Sequence, residues 1–375
     1  MNITLKETAD QIALIKALAS KDLNVAYEAK AAVADLVGPV ISKVLNNAPS
    51  VSNLYNTQTF GEDDNPSIPL DLFANVTDQD YIRIHSTPVA GGLSSNVMHP
   101  THDELKFSTY SLDTAWAFDK KYARKARLDV VSATFTRMAQ EFLLKQEQTS
   151  VNQLTGALVA GNTDFGSGIA AGNHVLGAAT ANVLGINDFN NLITRSKRLW
   201  SNYSSGTPVG GAQVGVSDLI MSPEMTEEIR AIAYQPVNTR SGDTTTSGAT
   251  SIPATEEMRN KIMSEGGLAS IFGIGIIELL ELGVGQRYNS IFSASNVAAG
   301  SPLTFNGATT EIILGVDRRK NALVRPTIRE EGVSTDVAVF VDDQFAVRQN
   351  KVGWYSKIVE GRYVLEDRAL TGISV

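Results

Sequence analysis

The chain has 375 residues, a net charge of −8, and 43% hydrophobic against 19% charged residues. That length exceeds what a single hydrophobic core commonly serves, and the balance is that of an ordinary globular protein, which excludes a wholly disordered chain. The absence of cysteine excludes disulfide scaffolds, thiolate metal sites, iron–sulfur clusters and cysteine nucleophiles, and the acidic balance argues against a protein that grips nucleic acid over its whole surface.

No apolar run approaches the roughly 20 residues that span a bilayer, so no membrane segment is expected. The start, Met1-Asn2-Ile3-Thr4-Leu5-Lys6-Glu7, lacks a basic-then-apolar signal pattern, so export is not expected.

The first 50 residues read as helix. Ile12, Leu14, Ile15 and Leu18 recur at helical spacing, and so do Val33, Leu36, Val37, Val40, Ile41, Val44 and Leu45. Gly38-Pro39 is expected to kink or divide the second stretch, because proline lacks an amide hydrogen and clashes with the preceding turn. Residues 51–80 are polar and turn-rich. Tyr81-Ile82-Arg83-Ile84-His85 then alternates as a strand, and Leu105 to Leu112 is its expected return. The 86–104 segment between them is long for a compact domain, and such loops are usually functional or mobile. A ribbon of two strands is marginal alone and needs a surface to lie against.

The clearest element follows. Leu128, Val131, Phe135, Met138 and Phe142 form an apolar stripe at steps of three and four, with Arg127, Asp129, Arg137, Gln140 and Lys145 mostly on the other sides. The pattern runs from about Tyr122 to Leu154, roughly 50 Å at about 1.5 Å per residue. A rod laid across a sheet or a neighbour fits this stripe, and a coiled-coil seam is the alternative, although the stripe fades where Lys145 takes the next position.

The middle alternates helices and strands. Asn187 or Asp188 is positioned to cap a helix carrying Phe189, Leu192, Ile193, Leu199 and Trp200. Leu219-Ile220-Met221 reads as a strand entering Ser222-Pro223-Glu224, where a capping hydroxyl, a proline with pre-set φ and following carboxylates all favour a helix start. Pro236–Ala254 is a polar insert, Glu256–Ser264 a helix, and Ile271 to Ile277 a buried strand or turn. A second soft patch covers 293–310. Strands are expected at Glu311–Val316, Asn321–Glu330, Val337–Val341, Phe345–Arg348 and Trp354–Val359, with Asp342-Asp343, Asn350 and Glu360-Gly361 as turns.

The chemistry-bearing residues do not converge. His99 and His102 flank Pro100 near Asp103 and Glu104, which invites a metal reading, but Pro100 denies them a helical face and no distant third ligand accompanies them. His85 and His174 stand apart. Gly273-Ile274-Gly275 lacks the third glycine and acidic partner of a dinucleotide site. Glu330-Glu331 and Asp342-Asp343 would point to opposite strand faces. Lys120, Lys121, Arg124, Lys125 and Arg127 form the one strong basic run, either a solvated helix start or a contact with acidic neighbours or enclosed nucleic acid. No catalytic, cofactor-binding or metal residue is assigned, and no cofactor is expected.

The order of parts is more telling than any motif. A helical arm, a long hairpin, one long helix, an α/β middle with polar inserts and a terminal β region together resemble the α+β capsid fold of tailed-bacteriophage major capsid proteins, shared with encapsulins and the herpesvirus capsid floor. The resemblance rests on Glu104 to Leu112 leading into the long helix, Leu219 to Glu224, Ile271-Phe272-Gly273-Ile274, and Phe345 to Arg348 continuing to Asp367-Arg368-Ala369. It departs at Gly275, where related sequences often place proline. It implies a helical arm at 1–50, an extended loop at 51–115, a peripheral domain with the spine helix at 116–184, an axial domain at 185–325, and strands returning to the peripheral domain at 326–375. It further implies pentamers and hexamers of one chain in an icosahedral virion shell, assembled in the host cytoplasm. That shell would enclose double-stranded DNA without sequence-specific binding, and scaffold, portal and decoration proteins would be its partners. An encapsulin-type compartment is the alternative shell, and an α/β enzyme the alternative of another class.

Overall fold

The structure, a computed structural model, describes residues 8–48, 50–69, 104–163, 174–180, 182–201, 215–234, 270–271, 273–299, 303–318, 322–331, 333, 335–342, 349–365 and 367–375. The expected strand at 81–85, most of the 86–104 loop, the 236–254 insert, the helix at 256–264 and the strand at 345–348 lie outside these. In chain order the helices are α1 (Ala9–Ala17), α2 (Leu23–Asn47), α3 (Lys120–Arg124), α4 (Leu128–Thr163), α5 (Ile186–Ser201), α6 (Pro223–Tyr234) and α7 (Arg287–Ala298). The strands are β1 (Asn56–Gly61), β2 (Ser67–Pro69), β3 (Glu104–Lys106), β4 (Tyr110–Asp119), β5 (Val175–Gly177), β6 (Asp218–Met221), β7 (Ser270–Ile271), β8 (Ile274–Glu278), β9 (Ile312–Val316), β10 (Leu323–Arg329), β11 (Ala338–Asp342), β12 (Lys351–Glu360), β13 (Tyr363–Val364) and β14 (Leu370–Ser374). The class is α+β, as expected. The chain forms two units, one of Met1–Pro69, Asp103–Ser150 and Val324–Tyr363, the other of Leu70–His102, Val151–Leu323 and Val364–Val375.

The first unit is a helix-covered sheet. Its strands run β1-β10-β12-β11, with β4 along the whole of β12. Alternation in β4 turns Trp116 and Phe118 inward, and Trp116 stands opposite Trp354 of β12, stacked at 4.4 Å. Phe135 of α4 meets Trp116 edge-on at 4.9 Å. Val131, Phe135, Met138 and Phe142 are all buried in this core with Val33, Val37, Ile41 and Leu45 of α2. The α4 stripe therefore packs on a sheet and is not a coiled-coil seam.

Three local expectations are corrected. Gly38-Pro39 does not divide α2, which is one helix from Leu23 to Asn47: Pro39 is exposed, so its missing N–H falls on the solvent side, while Gly38 is buried close to the Val337 carbonyl. The long helix starts at Leu128, not near Tyr122, because Ala126 takes φ 50° and separates it from the short α3; it then extends past Leu154 to Thr163. The segment Leu105–Leu112 is not one strand. Glu104–Lys106 pairs with Ser67–Pro69 in a two-stranded ribbon, whereas Tyr110–Leu112 opens β4. The division is pinned by Tyr363, whose ring packs on buried Phe107 at 4.8 Å and whose hydroxyl accepts the Ser108 N–H at 2.7 Å.

The second unit is built on a mixed sheet ordered β5-β14-β9-β6-β8-β7. The strand predicted at Leu219-Ile220-Met221 is β6, wholly buried and parallel to β8. Ser222 caps α6 as expected, its hydroxyl accepting the Met225 N–H at 3.1 Å, and Met225 and Ile229 face the core. In α5 the cap is Gly185, not Asn187 or Asp188. Asp188 reaches back from inside the first turn to accept the Gly185 N–H at 2.9 Å and the Ala179 N–H at 3.1 Å, the return half of a capping box. Ile271 and Ile274 flank a tight β7–β8 turn at Gly273, whose φ of +77° suits glycine. Residues 293–298 are no soft patch: they belong to α7, whose buried face mixes Tyr288 and Phe292 with Asn289 and Asn296. Those amides bond to the Thr310 and Leu303 carbonyls, so the face lacks a purely apolar stripe.

Candidate functional site

Of the chemistry-bearing residues, His85, His99, His102 and Asp343 lie outside the described residues. His174 is buried in the second unit, with Nδ1 2.8 Å from the Leu370 carbonyl. Burial holds its pKa below the ordinary imidazole value, although the Leu370 carbonyl and Asp367 favour the charged form. Glu330 is engaged by Lys357 at 2.7 Å, while Glu331 is exposed. Among the described residues no group of His, Cys, Asp and Glu is placed to hold a metal, and no helix is long and apolar enough to cross a membrane.

The densest polar assembly was not foreseen. Glu360, expected in a turn, ends β12 fully buried and accepts from Arg325 at 2.7 and 2.8 Å, from Gln146 Nε2 at 3.0 Å and from Tyr110 at 3.2 Å. Arg362, also buried, lies 3.3 Å from the same carboxylate and donates to the Ser52 carbonyl at 2.9 Å and the Ser52 hydroxyl at 2.7 Å. Glu147 of α4 accepts the N–H groups of Val51 and Ser52 at 3.0 and 3.2 Å, at the start of a short 3-10 turn, Val51–Leu54. Burial and the Glu360 charge push the Tyr110 phenol up to about 12, and burial also raises Tyr55 and lowers Arg362. Each charged group faces an opposite charge or a backbone dipole. The arrangement clamps the chain that follows α2 onto the sheet and α4, and it presents no open nucleophile.

The surface carries the other distinctive features. The ribbon β2–β3 pairs with no other strand among the described residues, and all of β3 is exposed, including Leu105. Leu23 and Tyr27, one turn apart near the start of α2, are 82% and 55% exposed. In the second unit Leu280 and Val297 are each 74% exposed. The basic run occupies α3 and the turn after it, with Lys121 3.2 Å from Asp119 and Arg127 3.6 Å from Asp129.

No protein-family model matches the sequence, and no curated protein does. The structure is similar to that of the capsid of a native GTA particle, with 12% identity and a TM-score of 0.47 over 87% of this chain and 89% of that one. It is similar to the capsid of cyanophage P-SCSP1u, with 12% identity and a TM-score of 0.47 over 85% and 86%. It is also similar to an encapsulin from Synechococcus elongatus, with 10% identity and a TM-score of 0.39 over 73% of this chain and 76% of that one.

Proposed function

We propose that the chain is the major building block of a closed protein shell, a phage-type capsid whose copies associate into pentamers and hexamers around double-stranded DNA. The observation that carries this reading is the exposed ribbon β2–β3. Its described part is three residue pairs with all of β3 exposed, and a ribbon of two strands is marginal in water without a surface to lie against. A surface of another copy would supply what it lacks. Leu23 and Tyr27 support the same reading, because two large apolar side chains left exposed one turn apart on α2 suit burial on association. On this reading the helical arm, extended loop, peripheral and axial regions keep the divisions 1–50, 51–115, 116–184, 185–325 and 326–375, and scaffold, portal or decoration proteins act on the assembled copies. The shell is a virion component assembled in the host cytoplasm, and the chain performs no catalysis.

The test is negative-stain microscopy of the purified chain over a range of concentration and salt. Closed shells or capsomers are expected. A monomer under every condition, with or without a co-expressed scaffold, would remove the proposal.

A further inference from the structure

Within the first unit the two signs of charge gather at different corners of one sheet. Strand β12 pairs with β4 on one side and with β10 on the other, since Val359 and Glu360 are matched both to Ser111 and Tyr110 and to Ile328 and Thr327. Strand β1 lies beyond β10. The corner where β4 ends and β12 begins carries Lys120, Lys121, Arg124, Lys125, Arg127 and Lys351, with Arg124 and Lys125 exposed. The turn after β1 carries Glu62, Asp63 and Asp64, all exposed, and Glu62 accepts the Glu331 N–H at 3.3 Å, which brings Glu330 and Glu331 alongside. Lys357, the partner of Glu330, is six residues along β12 from Lys351, about 20 Å at 3.3 Å per residue. Basic and acidic corners are thus well separated on opposite sides of β12.

We infer that the basic corner is a docking surface for a second copy of this chain, received by that copy's carboxylates around Glu62–Asp64 and Glu331. The inference deepens the shell reading and rests on it. The two corners differ, so the contact is head-to-tail, and repeating it gives a ring when the rotation closes, which is the geometry a capsomer needs. A row of nucleic-acid phosphates is the other acidic partner such a surface could meet. The basic corner disfavours it, because Asp119 and Asp129 stand among the cations at 3.2 and 3.6 Å from Lys121 and Arg127 and would face the phosphates. The acidic corner is mixed in the same way, with Arg329 3.0 Å from Asp336 and Lys357 beside Glu330. Mixed signs on both sides suit a protein partner, where charge sets register and encounter rate.

The test is charge reversal in the full chain, read by sedimentation and by a labelled DNA duplex. Arg124→Glu with Lys125→Glu, and separately Asp63→Lys with Glu331→Lys, should each raise the concentration needed for assembly by about tenfold or more, while melting stays unchanged. All four substitutions in one chain should restore assembly, since every contact regains opposite charges. The inference is overturned if either reversal assembles as the unchanged chain does, or if the combined variant fails to recover. It is also overturned if the unchanged chain binds the duplex and the basic reversal abolishes only that binding. Assembly of the unchanged chain in these outcomes leaves the shell reading standing; an unchanged chain that never assembles removes both.

Discussion

Replacing Glu360 by Gln tests whether the buried charge cluster holds the first unit together. The carboxylate is fully buried and serves two guanidinium groups, that of Arg325 at 2.7 Å and that of Arg362 at 3.3 Å, whose side chains are themselves 5% and 0% exposed. The amide keeps the shape and can still accept hydrogen bonds, but it leaves two cations in the interior with no counter-charge at that position. Breaking a buried pair from one side costs about 3–5 kcal/mol. Arg362 keeps its bonds to Ser52, which limits the loss on that side, so about 3 kcal/mol is expected from the Arg325 pair alone. For a slope of about 2 kcal/mol per molar urea, the midpoint should fall by roughly 1.5 M. Tryptophan fluorescence reports it, because Trp116 and Trp354 are stacked in the same unit's core. Adding Arg325→Met to Glu360→Gln should cost less than the sum of the two single changes, since the second removes a cation that the first left unpaired. A shift below about 0.3 M for Glu360→Gln, or strict additivity in the double variant, would refute the reasoning.

Phe135→Ala should destabilise the same unit by about 3–5 kcal/mol, because the ring is buried edge-on against Trp116, and Phe135→Leu should cost clearly less; equal midpoints for the two in urea would count against the packing described. Burial lowers the folded-state pKa of His174, so its contribution to stability is present above the unfolded value of about 6.5 and is lost as pH falls through the folded pKa. Melting temperatures measured from pH 7.5 to 5 should therefore fall more steeply for the unchanged chain than for His174→Gln; parallel curves would contradict this. Ser222→Ala should cost about 1–2 kcal/mol in a denaturant melt, through loss of the Met225 cap and of the hydroxyl donated to Glu311. Gly307→Ala should cost about 1–3 kcal/mol, because its new methyl would lie 2.8 Å from the Asn289 carbonyl oxygen; unchanged melting would mean that the loop gives way freely.

What the sequence alone determined is what short-range periodicity and local chemistry carry. The stripe of Val131, Phe135, Met138 and Phe142 was legible because a helix face repeats every three to four residues, and β6 with the Ser222 cap because strand burial, proline and hydroxyl lie within a few residues of one another. Along the sequence the apolar stripe ends after Phe142, where Lys145 takes the next position. In the structure the inward face continues through Gln146 and Glu147, buried and polar because Glu360 and the Val51 and Ser52 amides lie opposite, and through Ser150, whose hydroxyl donates to the Gln146 carbonyl one turn back while its own carbonyl accepts from Tyr55. No pattern along the chain announces those partners: Arg362 meets Ser52 across 310 positions, and Arg325 meets Glu360 across 35. A charged residue at a strand end reads as a turn until the fold brings an opposite charge to it, since only the pair tolerates burial. Asn289 and Asn296 find carbonyl partners nearer by, 21 and 7 residues on, and so place polar groups beside Tyr288 and Phe292 on the inner face of α7. Periodicity thus placed the apolar halves of the elements. Tertiary structure decided that Gln146, Glu147 and Arg362 go inside, because their desolvation is offset by partners far away along the chain.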